Sequence, residues 1–261
     1  KQFTYNQIEE LMTGYGNIDI LWLDGGWVRP ALAITEESKP WLGRRQWVQD
    51  VDMPKIAAMA RKNQPGIIVV DRSVHGPYED YRTPEQQIPE VIPDYPWESC
   101  ITLCDNWYST GPSERYKPAN WAIHTLIRIV AKGGNFLLGI GPDKTGDLTP
   151  EVYQRLDEIG AWMEINSEAI YETKPLAPYQ SGKFCFTQSK DGKTRYAFYL
   201  FDENETLPAS LLLPAEVFSN VKTVRFLGQS NTVRISLKDG KPELIIPNNL
   251  RTAKHALVIK F

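Results

Sequence analysis

Asn17-Ile-Asp-Ile-Leu-Trp-Leu-Asp-Gly-Gly-Trp27 is the stretch whose reading decides the fold. Ile18, Ile20, Leu21 and Leu23 form an apolar run of strand length, the pattern of a strand buried in a parallel sheet. The run ends in Asp24. Gly25 and Gly26 follow, and without a Cβ they let the backbone turn sharply or approach another group closely. Where all strands of a sheet point one way, their carboxyl ends carry the chemistry. Asp24 therefore has two readings, a carboxylate that caps its own turn and one that reacts. Trp22 and Trp27 flank it with flat apolar surface and favour the second.

Outward from this stretch, helical and strand-like spacing alternate as far as residue 166. Phe3, Ile8, Leu11 and Met12 share a face of a helix over 3–15. Asp52 is placed to cap a helix over 54–63. Residues 66–71 read as a second buried strand ending in an acid, with Arg72 directly after it. Residues 99–104 read as a third strand, and Pro118 opens a helix over 118–132. Residues 135–141 are a fourth strand, and Thr149-Pro150 starts a long helix to Asn166. Such alternation means an α/β fold, a parallel sheet with helical crossovers. A closed βα barrel needs eight strands, and the four counted here are half of that. An open doubly wound sheet would accept them, but no glycine-rich phosphate loop is present. Residues 28–50 are too long for a minimal βα connection and read as a functional loop. Its Trp41, Arg44, Arg45 and Trp47 either shape a site or pack the loop down.

The character changes near Pro175 and Pro178. Beyond 182 come short runs separated by turn signals: 184–187, 196–201, 211–213, 221–227, 233–237, 244–246 and 256–261. This spacing predicts an antiparallel β-sandwich, with Asp239-Gly240 as a hairpin turn. Composition then excludes several functions. Net charge is −3, from 29 basic and 32 acidic side chains with no Lys/Arg block, so nucleic acid is not a partner. No apolar run approaches the roughly 20 residues of a membrane span. Three Cys and three His show no metal-type spacing, so neither a disulfide framework nor a metal is expected. The chain opens on Lys1 within a helix-like pattern, so something upstream is expected to have been removed.

Aromatic platforms beside a carboxylate suit a sugar ring, and removing a glycosyl group needs two carboxylates in distinct states. Asp24, at a rigid strand end, suits the one that stays ionised. The proton donor is expected from the loop after the second strand, where Glu79, Asp80, Glu85, Glu90 and Glu98 are all candidates. Arg72 either serves sugar hydroxyls and a neighbouring carboxylate or forms an ordinary surface ion pair. Serine-nucleophile schemes lack a Gly-x-Ser-x-Gly elbow. His124 lies inside an apolar helix and reads as packing. Cys100 and Cys104 read as core thiols.

These motifs also carry a resemblance. Leu21-Trp-Leu-Asp-Gly-Gly-Trp27 resembles the nucleophile strand of the α-L-fucosidases of glycoside hydrolase family 29. Val70-Asp-Arg72 and Tyr81-Arg-Thr-Pro-Glu-Gln86 resemble the next strand and the acid/base loop of that family. Pro96-Trp-Glu-Ser-Cys100, Lys132-Gly-Gly-Asn-Phe-Leu-Leu-Gly-Ile-Gly-Pro142 and the pair Ile159-Gly-Ala-Trp162 and Glu168-Ala-Ile-Tyr171 continue the likeness in the family's order. It covers about residues 1–175. Gly139 departs from the Asn that many members carry.

The resemblance implies a retaining exo-α-L-fucosidase without a cofactor. By position it makes Asp24 the nucleophile and Glu85 the acid/base, with Glu79 and Glu98 as replacements. Trp22 and Arg72 then contact the fucose, and Trp27 borders the same site. The implied architecture is the C-terminal half of a (β/α)8 barrel over 1–175, followed by a β-sandwich over 176–261. The N-terminal barrel half would be a separate or missing polypeptide, and the substrate a fucosylated oligosaccharide or glycoconjugate. The family resemblance implies a periplasmic, secreted or lysosome-like location. The rival expectations are a carbohydrate-binding fragment without turnover and a retaining exo-glycosidase for another sugar.

Overall fold

A computed structural model describes residues 1–24, 36, 50–72, 78–109, 111 and 114–261. Gly25, Gly26, Trp27 and the Trp and Arg residues of the 28–50 loop lie outside the described residues. The chain divides into two compact units, Lys1–Pro84 with Pro93–Glu98, and Glu85–Ile92 with Ser99–Phe261. Each is described by itself. The division does not coincide with the change of sequence character near residue 175.

The first unit contains α1 (Gln2–Gly14), β1 (Ile20–Leu23), α2 (Met53–Asn63) and β2 (Ile68–Asp71). Ile8 and Met12 of α1, Met53, Ile56, Met59 and Ala60 of α2, and Leu21, Ile67 and Val69 form its core. β1 and β2 pair in parallel, with Trp22 opposite Val70 and Leu23 opposite Asp71. The Gln64 amide ties the parts together. Its Nε2 donates to the Met12 and Gly16 carbonyls at 2.7 and 2.9 Å, and its Oε1 accepts from the Ile18 N–H. Two expectations change. Asp52 stands at the N-cap of α2 but has φ +64, and its side chain makes no capping bond. Asp50 instead accepts the Asp52 N–H at 2.8 Å. Strand β2 starts at Ile68 rather than Gly66, because Gly66 takes φ +92 and turns the chain.

β3 (Glu98–Thr102), which belongs to the second unit from Ser99 onward, pairs with β4 (Asn135–Gly139). The Leu103 N–H donates to the Gly139 carbonyl, joining their C-terminal ends, so the two strands run the same way. β1–β2 and β3–β4 are separate two-stranded sheets among the described residues, where four neighbouring strands were expected. On the edge of β3 away from β4, Glu85 bridges Cys100, and the Gln86 N–H donates to the Cys100 carbonyl. Two helices follow, α3 (Ala119–Ala131) and α4 (Pro150–Asn166). Thr149 caps α4 by accepting the Val152 N–H.

Next come β5 (Thr173–Ser181), β6 (Phe184–Ser189), β7 (Arg195–Leu200), β8 (Ser210–Leu212), the short α5 (Ala215–Phe218), β9 (Thr223–Phe226), β10 (Thr232–Arg234), β11 (Ser236–Lys238), β12 (Lys241–Ile245) and β13 (Ala256–Lys260). They form a six-stranded sheet in the order β10-β9-β13-β7-β6-β5 and a three-stranded sheet in the order β11-β12-β8. One face of the larger sheet packs Phe184, Phe186, Phe226 and Leu257 against Leu211 and Leu244 of the smaller, a β-sandwich core. The other face packs Cys185, Phe198 and Val258 against Ile123 and Ile127 of α3 and Trp162 of α4.

Three details refine the sequence reading here. β5 was expected to be a boundary because of Pro175 and Pro178, yet it is the edge strand, with a register irregularity between Pro175 and Gln180. Edges and bulges are where a sheet tolerates proline. The run 233–237 is two strands, β10 and β11, one in each sheet. Asp239-Gly240 closes the β11–β12 hairpin with both φ angles positive, as a two-residue turn of type I′ needs. No helix among the described residues is long and apolar enough to cross a membrane.

Candidate active site

The parallel register of β1 and β2 aligns three of the sequence-selected side chains. In a strand, residues two apart share a face. Trp22 and Asp24 are two apart, and Arg72 lies opposite Asp24 because Leu23 pairs with Asp71. The alternate residues Leu21 and Val69 point the other way, into the core beneath α1 and α2. On the outer face the Arg72 Nη1 lies 3.4 Å from the Asp24 Oδ1, and the guanidinium carbon sits 4.8 Å from the centre of the Trp22 ring. Arg72 is 14% exposed, whereas Asp24 is 61% exposed. A largely buried cation held against an aromatic face thus points its charge at an open carboxylate. The Arg72 N–H also donates to the Leu23 carbonyl at 3.2 Å, which fixes the backbone from which the guanidinium reaches. The Trp22 Nε1–H is buried without a hydrogen-bond partner among the described residues. An unmet buried donor costs about 1–3 kcal/mol, and a ligand oxygen would relieve it.

The remaining carboxylates have different settings. Asp80 is structural. Its Oδ2 accepts the Val69 N–H at 2.7 Å and faces Arg61, pinning the chain to the edge of β2. Glu79, 8% exposed, pairs with Arg82 at 3.1 Å. Glu98, half-buried at the start of β3, receives the Tyr81 hydroxyl at 3.4 Å. Burial pushes the Glu98 carboxyl above the usual carboxylate range, and the Tyr81 hydrogen bond works against that. Burial and the Glu98 charge push Tyr81 up to about 12. Glu85 lies in the second unit, partly exposed, on the backbone that bridges β3 at Cys100. Trp27 lies outside the described residues.

At the far end of β4, the position of Gly141 requires glycine. A Cβ there would sit 2.4 Å from the Tyr108 Cα. Gly139, where an Asn was noted as the commoner residue, backs onto Thr102 and Trp107, whose nearest atoms would lie 3.3 and 3.4 Å from an added Cβ. Sequence reading missed Gln86, which hydrogen-bonds Thr102 on β3 through its side chain. The only signal was its place directly after Glu85.

A family model described as alpha-L-fucosidase matches residues 1–168. The chain belongs to the alpha-L-fucosidase family. Among the fucosidases it resembles, the tissue alpha-L-fucosidase of Mus musculus is 30% identical over 214 residues, covering 76% of this chain and 42% of that protein. The bovine tissue alpha-L-fucosidase, from Bos taurus, is 29% identical over 254 residues, covering 93% and 49%. The chain therefore spans about half the length of these fucosidases. The structure of alpha-L-fucosidase isoenzyme 1 from Paenibacillus thiaminolyticus superposes with a TM-score of 0.80 at 25% identity, over 99% of this chain and 61% of that one. A fucosidase from Bacteroides thetaiotaomicron, trapped as a covalent intermediate with 2-fluoro-fucosyl fluoride, shares the fold at 19% identity and a TM-score of 0.70.

Proposed function

We propose that this chain carries the catalytic carboxylates of a retaining exo-α-L-fucosidase. Asp24 attacks the anomeric carbon and forms a glycosyl-enzyme. Glu85 protonates the departing oxygen and then takes a proton from the water that releases fucose. The carrying observation is the Trp22–Arg72–Asp24 group: an open carboxylate at a parallel strand end, with a buried guanidinium at 3.4 Å and an aromatic face beside it. Arg72 and the Trp22 N–H, which has no hydrogen-bond partner among the described residues, are donors suited to sugar hydroxyls. The chemistry needs no cofactor or metal.

In architecture we read residues 1–175 as the C-terminal half of a (β/α)8 barrel and 176–261 as the sandwich domain. Two features support this: the parallel β1–β2 pair, and an apolar cleft of about 550 Å³ beside β4, lined by Leu126, Phe136, Leu138, Ile159 and Met163. The other barrel half would come from sequence outside this chain. A fucosylated glycoconjugate is the proposed substrate, met in a secretory, periplasmic or lysosome-like compartment.

One observation favours a second assignment of the acid. Burial raises the proton affinity of the Glu98 carboxyl, as a proton donor needs. Leaving-group dependence separates the two. Glu85→Ala in the complete enzyme is expected to cripple fucosides with poor leaving groups, spare activated aryl fucosides, and regain turnover with azide as a β-fucosyl azide. If Glu98→Gln gives that pattern and Glu85→Ala does not, Glu98 takes the role.

A further inference from the structure

Glu85 sits between a proline and a residue that is bolted to β3. Gln86 has φ +56, a left-handed conformation uncommon for a residue with a side chain. Its N–H donates to the Cys100 carbonyl at 2.8 Å. Its side-chain amide makes a two-point contact with Thr102: Oε1 accepts the Thr102 N–H at 3.3 Å, and Nε2 donates to the Thr102 Oγ1 at 3.1 Å. Thr102 is itself held. Its hydroxyl donates to the Cys104 carbonyl at 2.7 Å, which leaves an oxygen lone pair turned to Gln86. The Lys117 ammonium donates to the Thr102 carbonyl at 2.5 Å, and Thr102 is only 3% exposed. One residue further on, the buried Ser99 hydroxyl donates to the Gln87 carbonyl at 2.7 Å.

The pairing is chemically specific. An amide supplies one acceptor and one donor, and the Thr102 N–H and hydroxyl oxygen demand that pair. Alanine would leave a buried N–H without its partner. Glutamate would lose the donor. Asparagine tolerates the left-handed backbone but falls one methylene short. The clamp therefore sets the backbone at the residue after Glu85, and with it the direction from which the Glu85 side chain departs. A proton donor misplaced by about 1 Å loses much of its effect.

We propose that Gln86, acting through Thr102, is the positioning residue of the acid/base. This rests on the reading of Glu85 as that acid. Gln86→Ala and Thr102→Val, in the complete enzyme, are expected to lower turnover of poor-leaving-group fucosides at least tenfold, as misplacing a general acid does. Activated aryl fucosides should change less than threefold, roughly, since their phenols need little protonation. Thr102→Ser keeps the hydroxyl and should restore the normal ratio. The double variant Gln86→Ala/Thr102→Val should be no worse than Gln86→Ala alone, because Gln86→Ala already removes the bond to the hydroxyl that Thr102→Val deletes.

Glu85→Ala in the same assay separates the two layers of the argument. If it shows no leaving-group dependence, the assignment of Glu85 fails. If it shows that dependence while Gln86→Ala and Thr102→Val slow good and poor leaving groups equally, or neither, the clamp has no positioning role. Should Gln86→Ala fail to fold, the Thr102→Ser and Thr102→Val pair decides alone. A leaving-group ratio that is the same in both overturns the proposal.

Discussion

Strands β1 and β7 look alike in the sequence, yet their surroundings are opposite. Ile20–Leu23 and Tyr196–Leu200 are both runs of apolar and aromatic residues without polar alternation. In β7 every residue from Tyr196 to Leu200 is buried. Tyr196, Phe198 and Leu200 meet the α3–α4 layer, and Ala197 and Tyr199 meet the sandwich core. In β1 only Leu21 is buried, and Ile20 is 47% exposed, like its partner Ile68 at 40%. Among the described residues, both faces of β7 are covered, whereas β1 is covered on the Leu21 side and exposed at Ile20 and at Asp24. Trp22 and Arg72 stand on the same side as Asp24. A strand with an exposed carboxylate at its end suits a binding surface. A strand closed on both faces can only hold the fold together.

The sharpest way to break this comparison is kinetic. Asp24→Ala in the complete enzyme should lower kcat by roughly a thousandfold or more, as loss of a nucleophile does. The urea midpoint should stay put, because Asp24 is an exposed strand-end group. A folded variant with near-normal turnover would remove the exposed end of β1 from the chemistry.

The structural half of the contrast is tested by truncation. Phe198→Ala empties a fully buried site and should cost about 3–5 kcal/mol of stability by urea unfolding. Ile20→Ala in the isolated chain should cost well under about 1 kcal/mol, as for an exposed position. If the rest of a barrel covers β1, the cost of Ile20→Ala should rise in the complete protein.

Gly141→Ala probes the strand ends of the second unit. A methyl group 2.4 Å from the Tyr108 Cα must displace backbone, so a loss of about 1–3 kcal/mol is expected. Gly146→Ala is the control for crowding, since an added Cβ there meets nothing within 4 Å; its φ of +86 contributes strain without a clash.

The smallest effect is a pH dependence at the joint between α3 and the large sheet. His124 Nε2–H donates to the His255 carbonyl at 2.8 Å, and His255 Nδ1–H donates to Asn120 Oδ1 at 3.3 Å. Burial holds both imidazoles below the usual histidine range. The His255 carbonyl and the Asp202 and Glu203 charges oppose this at His124, where Arg128 reinforces it. Glu158 and Glu203 oppose it at His255, where Lys254 and His124 reinforce it. A folded-state pKa below the unfolded value means that the unfolded chain binds more protons. Stability from these groups is complete above the unfolded pKa of about 6.5 and is lost as pH falls toward the folded one. His124→Gln should flatten the fall in stability between about pH 7.5 and 5.5 without abolishing it, since carboxylates also contribute.

Much of the fold was legible before the structure. Apolar spacing marked α1, α2, α3 and α4 to within two residues, and Thr149 and Asp239-Gly240 behaved as a cap and a hairpin turn. These signals are local. Helix period, caps and turn residues act over a few positions and need no distant partner. β5 escaped because its prolines are penalised inside a sheet but tolerated at an edge, and edge status is a property of the sheet. The division of 233–237 between two sheets escaped for the same reason.

For the site, the order of residues alone supplied the candidates: a carboxylate at a strand end, an arginine after the next strand, tryptophans beside them, and acids in the following loop. Tertiary structure alone decided their relations. The parallel register set Arg72 against Asp24 and Trp22, whereas a one-residue slip would have turned those side chains to opposite faces. Contacts across 11 to 17 residues made Asp80 a brace for β2, buried Glu98 beside Tyr81, and locked Gln86 onto Thr102. Charge and hydrogen-bonding capacity belong to a residue type and can be read in order along a chain. Distance and burial belong to pairs, and pairs exist only once the chain has folded.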